Sequence, residues 1–206
     1  MHEVPTVFEV DDYPRDGARC IDALDRFRAI NPRFVGTVFA IPAAMRPEHW
    51  EPLVARREWL RVGMHGFEHI KGECCLQSSV ILSARLAYHD DPRFCRVFRA
   101  PHFGMSPHMV CVLWEAGWVV SIRELADITG IPQQLRERWS LRVGLNVANA
   151  GRVVYLQRPG VYANLHRHTG RGNVTDITRR VRMYRQRVRD ASGFVFTEEV
   201  ATCPCA

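Results

Sequence analysis

Short apolar runs rich in β-branched and aromatic residues alternate along the chain with longer amphipathic stretches. The runs predict strands and the amphipathic stretches predict helices, as where Ile21, Leu24 and Phe27 recur at helical spacing. The predicted strands cover residues 5–10, 34–41, 60–64, 96–98, 118–122, 152–156, 161–165 and 194–196. The predicted helices cover residues 16–30, 47–57, 78–88, 107–115 and 174–188.

This regular alternation of strand and helix is typical of an α/β fold with a parallel sheet, either open or closed into a barrel. The chain has 206 residues, which suits one domain with a sizeable core. Since no internal repeat, low-complexity segment or linker interrupts the pattern, we expect a single domain over residues 1–206.

Composition places the chain among ordinary globular proteins, with 47% hydrophobic and 24% charged residues. No apolar run approaches the roughly 18 residues that cross a bilayer, so we expect no membrane partner. The first residues contain neither a basic nor an apolar signal-peptide region, which predicts a cytoplasmic location. Seven cysteines, an odd number, favour a reducing compartment, and Cys203 and Cys205 are expected in an ordinary terminus without metal.

The net charge of +6 comes almost entirely from arginine, which is densest over residues 179–189. Such a cluster could contact phosphates or an anionic polymer, or form the solvated face of a helix. We favour the solvated face and do not expect nucleic acid as a partner, because no Cys/His cluster has the spacing of a zinc finger.

Polar residues that could carry chemistry follow the ends of several predicted strands. In a parallel sheet these ends face one way, so successive loops can bring such side chains into one site. The residues are Asp11 and Asp12, His65 and His69, Arg99, and His166.

Two of these groups predict a metal site. His65 and His69 are four residues apart, so both imidazoles could reach one ion if the loop coils into a helical turn. With one carboxylate of the Asp11–Asp12 pair they make a two-histidine, one-carboxylate set that leaves positions open. The other carboxylate would stay ionised as a base. The alternative for the pair is a turn or a helix cap.

Two further residues could complete a hydrolytic site. Arg99 could pair with Asp11, fixing its rotamer and keeping it ionised, although a surface ion pair is the alternative. His166 follows an apolar strand and could protonate a leaving group, with His168 as the fallback for that role.

In their order along the chain, these motifs resemble the polysaccharide deacetylase family, the NodB-homology, carbohydrate esterase-type hydrolases of N-acetylated sugars. Asp11-Asp12 resembles the family's Asp-Asp motif, and residues 65–69 resemble its His-Ser/Thr-x-x-His motif. Residues 99–103 are similar to its Arg-x-Pro motif, and Leu165-His166 to its late Leu-His motif.

The resemblance implies a distorted or incomplete (β/α) barrel and assigns each residue a role. Asp11 would be the catalytic base, tethered by Arg99, and His166 the catalytic acid. A divalent ion, expected to be Zn²⁺ with Co²⁺, Ni²⁺ or Mn²⁺ as alternatives, would be held by Asp12, His65 and His69. A backbone N–H near Tyr13 is expected to stabilise the oxyanion. The residues expected on the substrate side are Tyr13, Phe67, Pro101, His102, Phe103 and Leu165.

The chain departs from the family at two points. Gly66 replaces the usual Ser/Thr, which removes a hydroxyl that helps to hold the metal loop. The fourth motif, an Asp with a nearby Trp that orients the acid histidine, is not apparent, and Asp127 is a stand-in without the flanking pattern. Trp114 and Trp118 could stack on a sugar, but core packing is the favoured role.

The expected activity is removal of an acetyl group from an N-acetylated oligosaccharide, polysaccharide or sugar conjugate, by hydrolysis of a linear C–N bond. One alternative is hydrolysis of a non-sugar amide or cyclic ureide on the same fold. Another is an inverted zinc protease, because residues 65–69 match His-x-x-Glu-His. That motif needs a long helix, and Gly63 and Gly66 argue against one. Nothing in the sequence indicates an oligomeric state.

Overall fold

The computed structural model describes residues 6–122, 153–155, 171–173, 181–191, 193–197 and 199. The strands in these ranges are β1 (Thr6–Val7), β2 (Glu9–Tyr13), β3 (Gly36–Ala40), β4 (Leu60–His65), β5 (Val97–Arg99), β6 (Val119–Ile122), β7 (Val153–Tyr155), β8 (Arg171–Asn173) and β9 (Phe194–Val195). The helices are α1 (Gly17–Ile30), α2 (Pro47–Val54), α3 (Ser79–His89), α4 (Pro107–Glu115) and α5 (Val181–Asp190), with 3₁₀ turns at Pro42–Ala44 and Pro101–Phe103.

Seven strands form one parallel sheet in the order β7-β6-β5-β4-β3-β2-β8. The predicted α/β class with a parallel sheet is therefore confirmed. Within the described residues β7 and β8 are the two edges of this sheet, so that part of it is open, as an incomplete barrel would be. β1 and β9 form a separate parallel pair.

The helices begin and pack as their sequences predict. Ile21, Leu24 and Phe27 lie on the buried side of α1, as their spacing requires. Ser78 and Ser106 cap α3 and α4, where each side-chain oxygen accepts a hydrogen bond from a backbone N–H of the first turn. These caps satisfy donors that have no partner inside the helix.

The core lies between these helices and the sheet and is rich in aromatic side chains. Phe8, Phe27 and Phe34 meet edge to face, with ring centroids 4.9–5.8 Å apart. Trp118 is fully buried and Trp114 packs against the same core. Both tryptophans therefore have the favoured structural role.

The structure differs from the predicted elements mainly near the ends of the chain. The first predicted strand is divided into β1 and β2, and β2 continues through the two aspartates to Tyr13. β8 was not predicted because Arg-Gly-Asn contains no apolar residue. The predicted strand 161–165 and the first part of the predicted helix 174–188 lie outside the described residues, which include the rest of that helix as α5.

Two surface features bear on the sequence-based expectations. In the described part of the chain, no helix is long and apolar enough to cross a membrane. Arg185 and Arg189, from the arginine-rich cluster, are exposed on α5, as expected for a solvated helix face.

Candidate metal centre and base

The predicted functional side chains collect at the carboxyl ends of inner strands of the parallel sheet. Asp11 and Asp12 lie near the carboxyl end of β2, while His65 and Arg99 are the last residues of β4 and β5 and pair across the two strands. Because parallel strands end on the same side of a sheet, these side chains come from separate strands and loops to one place.

Asp12, His65 and His69 form a compact set of ligand atoms. Asp12 Oδ1 lies 3.3 Å from His65 Nε2 and 2.8 Å from His69 Nε2, and the three atoms all lie within 4.8 Å of one another. Ligand atoms that share one tetrahedral ion lie roughly 3–3.5 Å apart. Two imidazole nitrogens and a carboxylate oxygen in this arrangement fit a divalent metal ion.

The orientation of His65 also fits a metal ligand. Its Nδ1 lies 3.2 Å from the backbone carbonyl oxygen of Arg99. A proton on Nδ1 can be donated to that carbonyl, which leaves the lone pair of Nε2 directed at Asp12 and His69. The side chain is 4% exposed, so its orientation is fixed by its surroundings.

Unusual backbone conformations place the other two ligands. Asp12 has a φ of 69° and His69 a φ of 64°, both in the left-handed region that non-glycine residues rarely adopt. The register of β2 against β3 shifts between Val10 and Tyr13, so the strand is irregular where Asp12 turns towards the histidines. Strain of this kind is typical of functional sites.

Electrostatics keep Asp12 and His69 in the protonation states that bind a cation. Burial raises the pKa of Asp12, but the hydrogen bond with His65 and the charges of both histidines hold it below its usual value. Burial, followed by the charge of His65, lowers the pKa of His69. At neutral pH the site therefore contains a carboxylate and a neutral imidazole.

Asp11 is held by a buried arginine, as predicted from the sequence. Arg99 Nη1 donates to Asp11 Oδ1 at 2.6 Å, and Arg99 Nη2 lies 2.7 Å from Glu9 Oε2. Arg99 is fully buried, yet its pKa stays above the ordinary value, because the charges of Asp11 and Glu9 outweigh the opposing effect of burial. The alternative of a surface ion pair is therefore wrong.

Glu9 is a member of this site that was missed at the level of sequence. Its side chain is fully buried, and its Oε1 accepts a hydrogen bond from the Thr197 hydroxyl at 2.8 Å. A glutamate inside the apolar run from Val7 to Val10 was the available signal, because a charge buried in a strand needs a partner.

Two of the residues expected on the substrate side have other roles. Phe67 is fully buried and packs against His89 and Phe98, so its predicted place on the substrate side is wrong. The Tyr13 side chain is also buried, and its hydroxyl donates to the carbonyl of His49. Only the backbone of Tyr13 is left for the predicted contact with substrate.

Of the other residues predicted on the substrate side, two lie near the metal ligands and the side chains of the rest lie outside the part of the chain that the structure describes. The His102 ring is exposed and its centroid lies 5.4 Å from that of His69, while Pro101 is buried beside Gly66. The side chain of Phe103 lies outside the described set. So do residues 165–168, with the predicted acid His166 and its fallback His168, and the stand-in Asp127.

The loop between the two histidines does not coil into a helical turn as expected. His65 ends a strand, residues 66–69 are not helical, and left-handed conformations at Gly66 and His69 bring the rings together. Glu68 turns away to pair with Arg85 at 2.9 Å. The long helix of an inverted zinc protease is therefore missing from this described segment, which contradicts that alternative.

Comparison with known proteins supports the fold and leaves the activity to the site. No family model matches the sequence, and no curated protein matches it significantly. A family 4 acetyl xylan esterase from Clostridium thermocellum, in complex with a cobalt ion, matches with a TM-score of 0.57 and 13% identity over 96% of this chain and 90% of that chain. The peptidoglycan deacetylase PdaC from Bacillus subtilis matches with a TM-score of 0.56 and 15% identity over 97% and 90%.

A third similar structure is a CE4-family pseudoenzyme from Bacillus anthracis, with a TM-score of 0.58 and 11% identity over 98% of this chain and 66% of that one. At these identities the similarity shows the fold alone. The chain has the fold of the family 4 carbohydrate esterases, and the resemblance to polysaccharide deacetylases is confirmed at that level. Because a pseudoenzyme shares the fold, activity has to be argued from the residues of the site.

Proposed function

We propose that this protein is a metal-dependent hydrolase that removes an acetyl group from an N-acetylated sugar in an oligosaccharide, polysaccharide or conjugate. One observation carries the proposal. The carboxyl-end side of the sheet holds the cluster of Asp12, His65 and His69 together with a second carboxylate, Asp11, that is bound to the buried Arg99. Metal ligands beside a fixed base are what amide hydrolysis by water requires.

The cluster of Asp12, His65 and His69 would hold the ion, and Zn²⁺ is our first choice because two imidazoles and one carboxylate suit it. Co²⁺, Ni²⁺ and Mn²⁺ are the alternatives, and the xylan esterase with a bound cobalt ion supports a divalent ion on this fold. When bound, such an ion acts as a Lewis acid on an acyl oxygen and makes water more acidic.

Asp11 would accept the proton of the attacking water. The hydrogen bond from Arg99 engages Asp11 Oδ1, so the Asp11 carboxylate keeps one orientation at the carboxyl end of β2. Arg99 itself is restrained by Ser121 Oγ, to which its Nη2 donates at 2.7 Å, and by the face of the Phe39 ring at 3.8 Å. The base is therefore supported by a rigid buried arginine.

The other end of the reaction stays a prediction from the sequence. His166 would deliver a proton to the departing amine, and His168 is the fallback. His102, exposed beside the ring of His69, would contact the substrate near the ligands. A non-sugar amide or cyclic ureide on the same fold, predicted from the sequence, is the second candidate substrate class.

The decisive experiment combines metal analysis with a hydrolysis screen on the wild type and Asp11→Asn. Freshly purified protein is analysed for metal, and acetate release is measured on N-acetylglucosamine oligomers, acetylated xylan and simple N-acetyl amides, with ring opening measured on a cyclic ureide. We expect about one divalent ion in both proteins, with acetate release from N-acetylated sugar by the wild type and none by Asp11→Asn. The exposed Asp22 on α1 provides the matched control, Asp22→Asn, which should remain active.

Three outcomes would contradict the proposal at different levels. Equal activity of Asp11→Asn would remove Asp11 as the base, and hydrolysis of the ureide alone would favour the second substrate class. Wild-type protein without metal would overturn the proposed chemistry as a whole.

His69→Ala tests whether the ion serves the reaction or the fold. The variant should lose its metal and keep its circular dichroism spectrum and cooperative melting. The core of the described residues is built from apolar side chains, and Asp12, His65 and His69 are not part of it. Global unfolding of His69→Ala would instead indicate a structural ion.

A further inference from the structure

Every backbone N–H group of the metal loop, residues 66–69, has an acceptor. Gly66 N donates to the carbonyl of Arg99 at 2.9 Å. Phe67, Glu68 and His69 donate at 3.0, 3.0 and 3.1 Å to a single side chain, the carboxylate of Glu73. One carboxylate thus fixes three consecutive peptide groups, the last of which belongs to a metal ligand.

Glu73 is itself firmly held. Its side chain is 2% exposed and pairs with Arg85 at 3.2 Å, and Arg85 also lies over the ring of Phe67. The next residue, Cys74, accepts a hydrogen bond through its carbonyl from Ser106 N at 2.8 Å. The carboxylate therefore has a fixed position from which it can determine the course of the loop.

Gly66 is required by the same arrangement. A β-carbon at this position would overlap Glu73 Oε1 and approach Pro101 Cγ to 2.5 Å, and the φ of 65° is a conformation that suits glycine. The His-Ser/Thr-x-x-His motif, which residues 65–69 resemble, has Ser or Thr at this position. The glycine that departs from the motif is therefore the residue that makes room for the Glu73 carboxylate.

We propose that Glu73 is the positioning residue of the metal loop. Its buried carboxylate holds the loop in place of the hydroxyl that is absent at Gly66. By binding the N–H groups of Phe67 and His69 it stabilises the left-handed conformation that directs the His69 ring at Asp12. This inference rests on the proposed metal-dependent function.

The test compares Glu73→Gln with Glu68→Gln. Glu68 is the matched control, because it lies in the same loop and its carboxylate also pairs with Arg85. Only its backbone N–H contacts Glu73, and the substitution leaves that group in place. Affinity for Zn²⁺ and Co²⁺ is measured against a competing chelator, and the visible spectrum of the Co²⁺ protein is recorded. Loss of a residue that supports a ligand typically weakens metal binding about 10–100-fold. We expect that loss, with altered cobalt bands, in Glu73→Gln, and binding within about twofold of the wild type in Glu68→Gln.

Folding of each variant is checked by thermal melting without metal. If Glu73→Gln does not fold, Glu73→Asp replaces it, since the shorter side chain keeps the charge but cannot reach all three N–H groups. Unchanged affinity and an unchanged cobalt spectrum in the folded variant would overturn the role of Glu73. An equal loss in Glu68→Gln would also overturn it, because the effect would then follow the charge of the loop. Failure of the wild type to bind metal would instead contradict the proposed function.

Discussion

At the scale of single residues, the site depends on Arg99, a fully buried guanidinium shared by two carboxylates. It lies 2.6 Å from Asp11 and 2.7 Å from Glu9, and the negative charges of both carboxylates favour its charged form. A buried ion pair adds little stability compared with apolar packing, but removing one partner leaves a charge in a medium that solvates it poorly. Arg99 and its two carboxylates therefore hold the proposed base in place, and the stability of the fold depends strongly on the arginine.

Arg99→Met should destabilise the protein, because it leaves both buried carboxylates without their shared cation. The expected loss is about 3–5 kcal/mol in the free energy of unfolding, measured by urea denaturation of the metal-free protein. Glu9→Gln is the control, since it keeps the pair between Arg99 and Asp11 and should cost about 2 kcal/mol or less. Wild-type stability in Arg99→Met, or a larger loss in Glu9→Gln, would contradict this account.

Spacing and strand ends were enough to predict which residues meet at the metal centre, but not what holds them. Asp12 lies near the carboxyl end of β2, His65 ends β4 and His69 follows in the next loop, so the parallel sheet brings all three to one side. Glu73 acts through three peptide groups whose directions depend on left-handed conformations at positions 66 and 69. Glycine at position 66 is compatible with one of these conformations, but residue types indicate neither the left-handed His69 nor the contact with Glu73. The support of the loop could therefore not be predicted.

At the scale of elements, the ring of Phe39 on β3 packs closely against the backbone of Gly63 on β4. Phe39 on β3 pairs with Gly63 on β4, and the Phe39 ring continues to the guanidinium of Arg99. A β-carbon on Gly63 would lie 2.7 Å from the ring and 3.0 Å from the carbonyl oxygen of Val97. The glycine therefore leaves room for the Phe39 ring, over which the Arg99 guanidinium lies.

Gly63→Ala should push the Phe39 ring towards Arg99 and so affect stability and turnover together. Overpacking of this kind costs about 1–3 kcal/mol, which urea denaturation can measure. Gly193→Ala is the matched control, because nothing lies within 4 Å of a β-carbon there. If both alanine variants unfold at the wild-type urea concentration, the packing of the Phe39 ring on Gly63 does not constrain the site.

The last residue of α3 connects that helix to the metal loop. His89 stacks on Phe67 with ring centroids 5.7 Å apart. Burial lowers the pKa of His89 from its usual 6.5, and the positive charge of Arg85 acts in the same direction. The folded chain therefore prefers the neutral imidazole.

Metal-free protein should lose stability as the pH falls below 6.5. In that range the unfolded chain binds the proton more readily than the folded one, so the stabilising effect of neutral His89 is complete above 6.5 and disappears as the pH falls through the lower folded value. His89→Gln should show a shallower decline between about pH 7.5 and 5 in urea denaturation with EDTA. His69, whose pKa is also lowered, should account for part of the remaining slope. If the stability of His89→Gln falls with pH as steeply as that of the wild type, His89 does not contribute to the pH dependence.

At the scale of the whole molecule, the order of the strands follows the sequence from β2 to β7, as expected when each helix returns the chain to the neighbouring position. That rule explains why the class of fold could be predicted from alternation alone. It does not place β8 beside β2 or β9 beside β1, because those pairings join distant parts of the chain through short strands. Such contacts depend on the folded whole and carry no local signal.

One of these long-range contacts reaches the site through Glu9. The Thr197 hydroxyl donates to Glu9 Oε1 at 2.8 Å and lies 3.0 Å from Thr37 Oγ1, and all three residues are buried. The segment after β9 therefore supplies a donor to the carboxylate that shares Arg99 with the proposed base. Support for the base extends from one end of the described chain to the other.

Thr197→Val keeps the shape of the side chain and removes that donor, so Glu9 Oε1 loses a hydrogen bond in a place that water does not reach. The expected cost is about 1–3 kcal/mol in the free energy of unfolding. If the effect acts through Glu9, the loss in the double variant with Glu9→Gln should differ from the sum of the single losses by about 0.5–3 kcal/mol. Urea denaturation of the four proteins measures this coupling. Additive losses would mean that Thr197 stabilises the fold independently of the arginine and its two carboxylates.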